Sequence, residues 1–283
     1  MEIEQDTLIQ GELIYYAHTL SPRFKELLLI PTSDVHYGNP LHSASHFRRH
    51  LKLISDTPNA VTIFNGDIIE AVTKQSKGDI YKQSKTPQDQ ADDILEMVYP
   101  IRRKILGWTM GNHEYRIYSE TGIDLCKYMA KQLGAAYRPE GILLKITFGS
   151  GNEGHPEKPY TYWVYATHGY GGARTKSGKA VKVERTATWV HADAYTMSHD
   201  HVVNLAFDVY LMPDARTRKE VVSGRETGFT IGKVVEHRKI LIKTNAFLKW
   251  GGYAEMGGFP PVDLETPIIK FSGIGKKGVR VTV

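Results

Sequence analysis

The stretch Ala60-Val61-Thr62-Ile63-Phe64-Asn65-Gly66-Asp67 joins a mostly apolar run to a turn that ends in a carboxylate. Short runs rich in β-branched and aromatic residues, bounded by turn residues, predict buried strands. The same order of apolar run and polar turn occurs upstream, after Leu27-Leu28-Leu29-Ile30, and downstream, after residues 106–110. The chain therefore repeats a strand-and-loop unit in which the polar residues follow the strand.

Helical spacing separates these strands. Phe47, Leu51 and Ile54 lie on one face of a predicted helix, and further helices are predicted over residues 88–103 and 122–133. Strands alternating with helices indicate an α/β fold. From Gly141 onward the pattern favours strands, at residues 142–148, 160–167, 194–197, 205–210, 229–235, 240–244 and 268–271. We expect one domain over residues 1–283, with a polar insertion near 73–90 and a β-rich C-terminal half.

Composition restricts the class of protein. The 283 residues carry 36 Lys+Arg against 31 Asp+Glu, a net charge of +5 that permits an anionic substrate. The single cysteine, Cys126, excludes an intrachain disulfide and a thiolate metal cluster, which suits a reducing cytoplasm. The acidic start MEIEQDTLIQGELIYY does not predict a signal peptide, and no apolar stretch predicts a membrane span. We expect a cytoplasmic protein without membrane association.

Residues with metal-binding side chains follow the ends of five predicted strands. They are Asp34, His36, Asp67, Asn112, His168, His199 and His201. Because loops at the carboxyl ends of strands in α/β sheets converge on one crevice, these side chains are expected to meet. Two carboxylates, one amide oxygen and four imidazoles suit Mn, Fe, Zn or Co better than Mg or Ca. Seven ligands exceed one site but fill two if a carboxylate bridges them.

Five short motifs, in this order, resemble the calcineurin-like metallophosphoesterase superfamily. They are Asp34-x-His36, Gly66-Asp67, Gly111-Asn112-His113-Glu114, His168 and His199-x-His201. The resemblance implies a four-layer αββα sandwich of two mixed β-sheets flanked by helices. It also implies two divalent metal ions, of which manganese is favoured and iron, zinc and cobalt are possible.

The resemblance assigns a role to each residue of these motifs. It places one metal on Asp34, His36, Asp67 and His201, and the second on Asp67, Asn112, His168 and His199, with Asp67 as the bridge. His113 is implied to be catalytic and no ligand, either stabilising the transition state as a cation or protonating the leaving oxygen. Metal-bound hydroxide would attack phosphorus in line.

The sequence departs from the pattern in three places. Ser198 replaces the glycine that usually precedes the last motif, and the insertion near 73–90 has no assigned role. Ile68-Ile69-Glu70 stands where the Ser/Thr protein phosphatases carry Asp-Arg-Gly, which disfavours that activity. We therefore favour phosphodiester hydrolysis in DNA or another nucleic acid. A phosphomonoesterase or nucleotide phosphatase on the same centre, and a catalytically silent scaffold, are the alternatives.

Basic residues near the motifs are candidate substrate-binding groups. Arg174, Lys176 and Lys179 follow a glycine-rich turn after His168, and Arg116 follows Glu114 by two residues. A nucleic-acid or nucleotide phosphodiester is the expected partner. The opposing interpretations are a flexible surface loop for the first three and a structural ion pair for Arg116.

Three further histidines recur every four residues. His42, His46 and His50 would share one helix face, but no carboxylate accompanies them in the pattern. We therefore expect a solvated helix face here and no metal site.

Overall fold

The computed structural model describes residues 14–76, 80–152, 157–214, 220–221 and 230–283. The strands are β1 (Tyr16–Thr19), β2 (Glu26–Leu29), β3 (Ala60–Asn65), β4 (Ile105–Thr109), β5 (Ala136–Tyr137), β6 (Ile142–Phe148), β7 (Gly151–Asn152), β8 (Tyr160–Thr167), β9 (Ala194–Met197), β10 (Asn204–Pro213), β11 (Glu220–Val221), β12 (Thr230–Ile231), β13 (Val234–Lys243), β14 (Ile268–Ser272), β15 (Ile274–Gly275) and β16 (Val279–Thr282). The helices are α1 (Ala44–Asp56), α2 (Pro87–Val98), α3 (Asn112–Thr121), α4 (Leu125–Leu133), α5 (Lys176–Trp189) and α6 (Tyr253–Met256).

Two six-stranded sheets, both mixed, form the centre of the fold. The first has the order β16-β14-β2-β3-β4-β5, in which β2 to β5 are parallel and β14 runs antiparallel to β2. The second has the order β1-β6-β8-β9-β13-β10, in which β8, β9 and β13 are parallel. Helices flank both sheets, so the predicted α/β class with two mixed sheets is confirmed.

Apolar side chains fill three layers of contact between these elements. Leu29 and Ile63 of the first sheet pack against Leu144 and Val164 of the second. The helices α1, α2 and α4 cover the outer face of the first sheet, and α5 covers the second. Because both faces of the first sheet are covered, every residue of β3 is buried, which explains its largely apolar sequence.

Several element boundaries differ from the sequence prediction. The helix predicted over residues 122–133 begins at Leu125 as α4, and α3 before it was not predicted. The helix predicted over residues 88–103 ends at Val98 and continues as a 3₁₀ helix, since Pro100 lacks the N–H that an α-helix requires. The strands predicted at 229–235 and 240–244 are replaced by β12 and the longer β13, and residue 229 lies outside the described part. The glycine-rich basic segment continues into a helix, α5, whose inner face is buried.

The histidines at four-residue spacing do not form a solvated face. His42 precedes α1 and donates from Nδ1 to the carbonyl oxygen of Val35 at 2.8 Å. The ring of Phe247 packs against His46 and His50, and His50 is buried with Nε2 2.7 Å from Thr32 Oγ1. The prediction was wrong because the spacing identifies a shared face but not the element that covers it.

Residues of the polar insertion form hydrogen bonds with the loops that follow β2 and β3. Gln83 Oε1 accepts a hydrogen bond from the backbone N–H of Val72 at 2.7 Å, and the N–H of Ser84 donates to the carbonyl of Gly38 at 3.0 Å. Residues 77–79 of the insertion lie outside the described residues. The described part therefore closes over the loops after β2 and β3.

Candidate metal centre

The structure brings the candidate ligands together from five loops, as the sequence predicts. Three groups each present one ligand atom per residue, with all atoms of a group within 4.8 Å of one another. The groups are Asp34, His36 and His201; His36, Asp67 and His113; and Asp67, His168 and His199. Asp67 belongs to two of them. Groups of side chains suited to binding metal ions are therefore present at the carboxyl ends of the strands.

One half of the centre is built around Asn112. Its Oδ1 lies 3.1 Å from His168 Nε2 and 2.7 Å from His199 Nδ1, and those two ring nitrogens lie 3.2 Å apart. Asp67 Oδ2 lies 3.2 Å from His168 Nε2. Two nitrogens that share one ion at bond lengths of about 2.0–2.1 Å lie roughly 3 Å apart, so these spacings fit a common cation.

The other half of the centre is built around His36. Its Nε2 lies 3.2 Å from His201 Nε2 and 3.9 Å from Asp67 Oδ2. His201 Nε2 lies 3.3 Å from Asp34 Oδ1. The carboxylate of Asp67 thus faces both halves, which is the position required of a bridging ligand.

Hydrogen bonds on the far side of three imidazole rings fix their tautomers. Nδ1 of His36 donates to Glu70 Oε2 at 3.0 Å, Nδ1 of His168 donates to the Asn65 carbonyl at 3.0 Å, and Nε2 of His199 donates to the Gly171 carbonyl at 2.6 Å. Each neutral ring therefore directs the lone pair of its other nitrogen into the centre. Outer oxygen acceptors of this kind orient metal-binding histidines and raise their basicity.

Facing lone pairs repel unless a cation or a proton lies between them. In the metal-free chain, burial lowers the pKa of His36, but the hydrogen bond and charge of Glu70 outweigh it and raise that pKa to about 8. Burial likewise opposes the charge of Asp67 at His168, whose pKa rises to about 9. The centre therefore attracts positive charge, and metal ions and protons compete for it. The donor set fits two divalent ions.

Backbone strain is concentrated at the same residues. Six non-glycine residues of the described chain have positive φ, and five of them are candidate ligands: Asp34, His36, Asp67, His199 and His201, with φ between 47° and 73°. Such conformations cost about 1 kcal/mol or more each and persist where the site requires them. The strain is independent of the ligand distances and marks these loops as functional.

Two loops of the centre approach so closely that a side chain would not fit between them. A Cβ atom on Gly111 would lie 2.1 Å from both the backbone nitrogen and Oδ1 of Asp67. A Cβ atom on Gly66 would lie 2.6 Å from the Gly111 nitrogen. Glycine at both positions therefore lets the loop after β4 support the Asp67 carboxylate.

Glu114 ties these loops together. This fully buried carboxylate accepts hydrogen bonds from the backbone N–H groups of Asp67 at 3.0 Å, Ile68 at 2.6 Å, Ile69 at 3.1 Å and Gly111 at 3.1 Å. The bond to Gly111 also caps α3, because Glu114 is the third residue of that helix. The sequence places Glu114 in a motif but does not reveal that it organises a second loop.

His113 lies at the edge of the centre. Its backbone N–H donates to Asp67 Oδ1 at 2.8 Å, and its ring Nδ1 donates to the Glu70 carbonyl at 2.6 Å. Burial lowers the pKa of His113 to about 4, against the opposing charge of Asp67. The ring is therefore neutral at pH 7 and presents Nε2 as an acceptor. The imidazolium expected from the sequence would form only after Nε2 gains a proton.

The four predicted substrate-binding residues occupy different environments. Arg116 is half-buried with Nη1 3.5 Å from His113 Nδ1, whereas Arg174 and Lys176 are exposed near the start of α5. Lys179 is buried, and its Nζ donates to the Asp200 carbonyl at 3.0 Å. Lys179 therefore supports the loop that carries His199 and His201.

Two more lysines form ion pairs with Asp200, in the loop that carries His199 and His201. Lys182 Nζ and Lys243 Nζ each lie 2.6 Å from one of the two carboxylate oxygens of Asp200. Lys243 is fully buried and also donates to the Ser198 carbonyl at 2.7 Å. Ser198, where the sequence departs from the usual glycine, accepts a hydrogen bond at Oγ from Asn65 Nδ2 at 2.7 Å. The serine is thus part of a buried polar network.

Two residues that support the centre, Glu70 and Gln90, were not predicted from the sequence. Glu70, only 7% exposed, adds a third carboxylate beside the centre through His36. Gln90 Oε1 accepts from the N–H groups of Glu70 at 3.0 Å and Ala71 at 3.1 Å. No feature of the sequence singles out Gln90, whose burial is visible only in the structure.

Comparisons with known proteins add little to this geometry. No known family profile matches the sequence, and no curated protein matches it. Among solved structures, the fold is similar to a Streptococcus pneumoniae protein described as conserved, uncharacterized and a predicted phosphoesterase. The identity is 10% and the TM-score 0.37, over 91% of this chain and 98% of that chain. A likeness this distant supports no argument about activity. In the described residues no helix has the length and apolar character needed to cross a bilayer.

Proposed function

We propose that this protein is a dinuclear metal-dependent phosphoesterase of the calcineurin-like type, acting on phosphodiester bonds in nucleic acid. The convergence of His36, His168 and His199 carries the proposal, because outer hydrogen bonds aim one lone pair of each ring into the centre. The lone pairs of His36 and His168 face the Asp67 carboxylate, and that of His199 faces the Asn112 amide oxygen. Such preorganised ligands are typical of catalytic metal sites. Manganese is our proposed metal, since a mixed oxygen and nitrogen set accepts it and availability decides among Mn, Fe, Zn and Co.

The metal ions and the neighbouring residues would have separate roles in catalysis. Divalent ions, held by the residues of the two halves of the centre, would supply positive charge for a phosphoryl group and lower the pKa of water. Asp67 holds the two groups at a fixed separation, and Glu114 holds Asp67 through its backbone. Nε2 of His113 lies 3.9 Å from Asp67 Oδ2, close enough to the centre to exchange a proton with a substrate oxygen. Arg116 would add positive charge beside that ring.

Charge and sequence favour a diester over a monoester as the substrate. The net charge is mildly positive, and Ile68-Ile69-Glu70 replaces the protein-phosphatase signature. Arg174 and Lys176 are exposed and available to an extended anionic substrate. Lys179 does not add to this argument, because its ammonium group is committed to Asp200.

Activity assays with matched substrates test the proposal. The purified chain with Mn²⁺ is compared on an aryl phosphate diester, the corresponding monoester, and single- and double-stranded DNA. We expect turnover of the diester and of DNA. Turnover of the monoester alone would establish the monoesterase alternative. A chain that binds Mn²⁺ but hydrolyses none of the four would instead support the silent scaffold.

Two substitutions separate ligand from catalyst. Asp67→Ala is expected to reduce metal binding in both halves of the centre, because the Asp67 carboxylate faces both halves. His113→Ala is expected to retain metal while kcat falls by roughly 100-fold or more. Loss of bound metal in the His113 variant would identify that residue as a ligand and contradict its assigned role.

A further inference from the structure

A groove opens beside one half of the metal centre. Its volume is about 750 Å³, within the range of small-ligand sites. Asn112 and His168 line it at the centre, and Tyr115 and Tyr118 of α3 and Tyr128 of α4 line it farther out. We call this feature the α3–α4 groove. Its continuity with two candidate metal ligands means that a molecule bound there would extend from the reacting position.

Exposed aromatic rings are the main chemical feature of the α3–α4 groove. Tyr115 is 56% exposed, Tyr118 45% and Tyr128 37%. The rings of Tyr115 and Tyr118 have centroids 6.0 Å apart and planes tilted by 39°. Large aromatic side chains are usually buried or interfacial, so three of them along one groove indicate a ligand with flat faces.

Positive charge accompanies the rings. Lys127 and Lys131 also line the groove, lie one turn apart on α4, and form no ion pair within the described ranges of the chain. The two acidic residues of the lining are already engaged. Asp124 accepts hydrogen bonds from the Lys127 backbone N–H at 2.8 Å and the Tyr137 hydroxyl at 2.7 Å. The Glu140 carboxylate lies 3.8 Å from Arg138 Nη2.

We propose that the α3–α4 groove binds single-stranded nucleic acid, with bases stacked on Tyr115 and Tyr118 and phosphates near Lys127 and Lys131. Aromatic rings combined with lysines are the usual means of binding single strands, because every base offers a π-face while the backbone offers charge. A duplex hides those faces within its own stack. The inference rests on the proposed function in that the strand would lead into the metal centre.

The length of the groove limits how much of the strand it holds. Asn112 and Tyr118 are six residues apart on α3, a rise of about 9 Å. At roughly 3.4 Å per stacked nucleotide, this distance accommodates two or three bases. Tyr115 lies about half way along, so the two α3 tyrosines are spaced to contact neighbouring bases.

Binding without turnover tests this inference separately from catalysis. Fluorescence anisotropy measures the affinity of the full chain with Mn²⁺ for a labelled single-stranded oligonucleotide with hydrolysis-resistant phosphorothioate linkages. The Tyr115→Ala/Tyr118→Ala double variant is expected to bind at least 10-fold more weakly, because stacking of a single base on an aromatic ring raises affinity by roughly 5- to 100-fold. The double Phe variant keeps the rings and should stay within about twofold of the wild type.

A matched aromatic control and a charge variant complete the design. Phe207→Ala removes a ring that is 47% exposed on β10 of the second sheet, and the affinity should not change. Lys127→Gln/Lys131→Gln should lower the slope of log affinity against log salt by about 1.4, the value for two phosphate contacts with a single strand.

Three outcomes would overturn the proposal. They are an unchanged affinity in the double Ala variant, an equal loss in the double Phe variant, and a wild-type preference for duplex over single strand. Because the measurement needs no hydrolysis, confirmed binding by a chain that cleaves no diester would leave the groove assignment intact while refuting the proposed activity. Diester cleavage that persists alongside an unchanged affinity would refute only the groove.

Discussion

Replacing Glu114 with glutamine tests the support of the bridging carboxylate by exchanging a single atom. The wild-type carboxylate accepts four backbone N–H groups, two at each oxygen. Oε1 accepts from Ile68 and Ile69, and Oε2 accepts from Asp67 and Gly111. An amide keeps one oxygen and turns two donors toward two existing donors. Glu114→Gln therefore loses two hydrogen bonds and leaves two buried N–H groups unsatisfied.

The size of the effect follows from that count. A hydrogen bond to a charged group contributes about 1.5–3 kcal/mol, so two lost bonds correspond to about 3–6 kcal/mol of unfolding free energy. Burial and the nearby charge of Asp67 raise the pKa of Glu114, whereas its backbone hydrogen bonds lower that pKa. Whichever oxygen is replaced by the amide nitrogen, at least one of the two unsatisfied N–H groups belongs to residues 67–69, so the loop that carries Asp67 loosens.

Chemical denaturation of the wild type, Glu114→Gln and Glu96→Gln measures this cost. Glu96 is exposed on α2, so the same exchange there should change the unfolding free energy by less than about 0.5 kcal/mol. Isothermal titration with Mn²⁺ on the same three proteins should show weakened binding in Glu114→Gln alone. A Glu114→Gln protein within about 1 kcal/mol of the wild type, with unchanged Mn²⁺ affinity, would refute the reasoning.

Three further predictions follow from the packing around the centre. Gly111→Ala should destabilise the fold by about 3 kcal/mol or more and abolish Mn²⁺ binding, because its Cβ would overlap Asp67; calorimetry showing wild-type binding would contradict this. Lys243→Met should lower the unfolding free energy by about 3 kcal/mol, because it leaves the buried Asp200 carboxylate with one partner fewer. An unchanged midpoint in a denaturant titration would mean that the Lys243–Asp200 pair adds no net stability. Burial lowers the pKa of His50 to about 3, so as pH falls the unfolded chain binds this proton at a higher pH than the folded chain does. The unfolding free energy should therefore decline as pH falls from about 6.5 toward 3. A His50→Leu variant with the same pH dependence would identify another group as the cause.

The sequence predicted the strands along which buried and partly exposed residues alternate, and the loops that follow those strands. Strands at 142–148, 160–167 and 194–197 match the structure at both ends, because the apolar residues of all three are buried in the second sheet. The ligand candidates also meet as predicted, since parallel strands deliver their following loops to one edge. Asp67 is shared by two ligand groups, which the surplus of candidate ligands had suggested.

The rest depends on contacts between distant segments. No local pattern shows that Lys179 is buried beneath a loop twenty residues away, or that Phe247 covers His50. The basic segment after Gly172 has weak helical amphipathicity because its buried inner face includes lysines as well as Val183. Positive φ at Asp34 and His36 is equally invisible in sequence, because such strain is imposed by the assembled site.

Metal stoichiometry tests the central claim most directly. Equilibrium dialysis against Mn²⁺, with metal measured by atomic emission, compares the wild type with Asp67→Ala and with Asp208→Ala, which replaces an acidic residue on β10. Two bound ions per chain in the wild type and Asp208→Ala, with both sites weakened in Asp67→Ala, would agree with a bridged pair. A wild-type chain that binds no Mn²⁺, or an Asp67→Ala chain that still binds two ions with unchanged affinity, would contradict it.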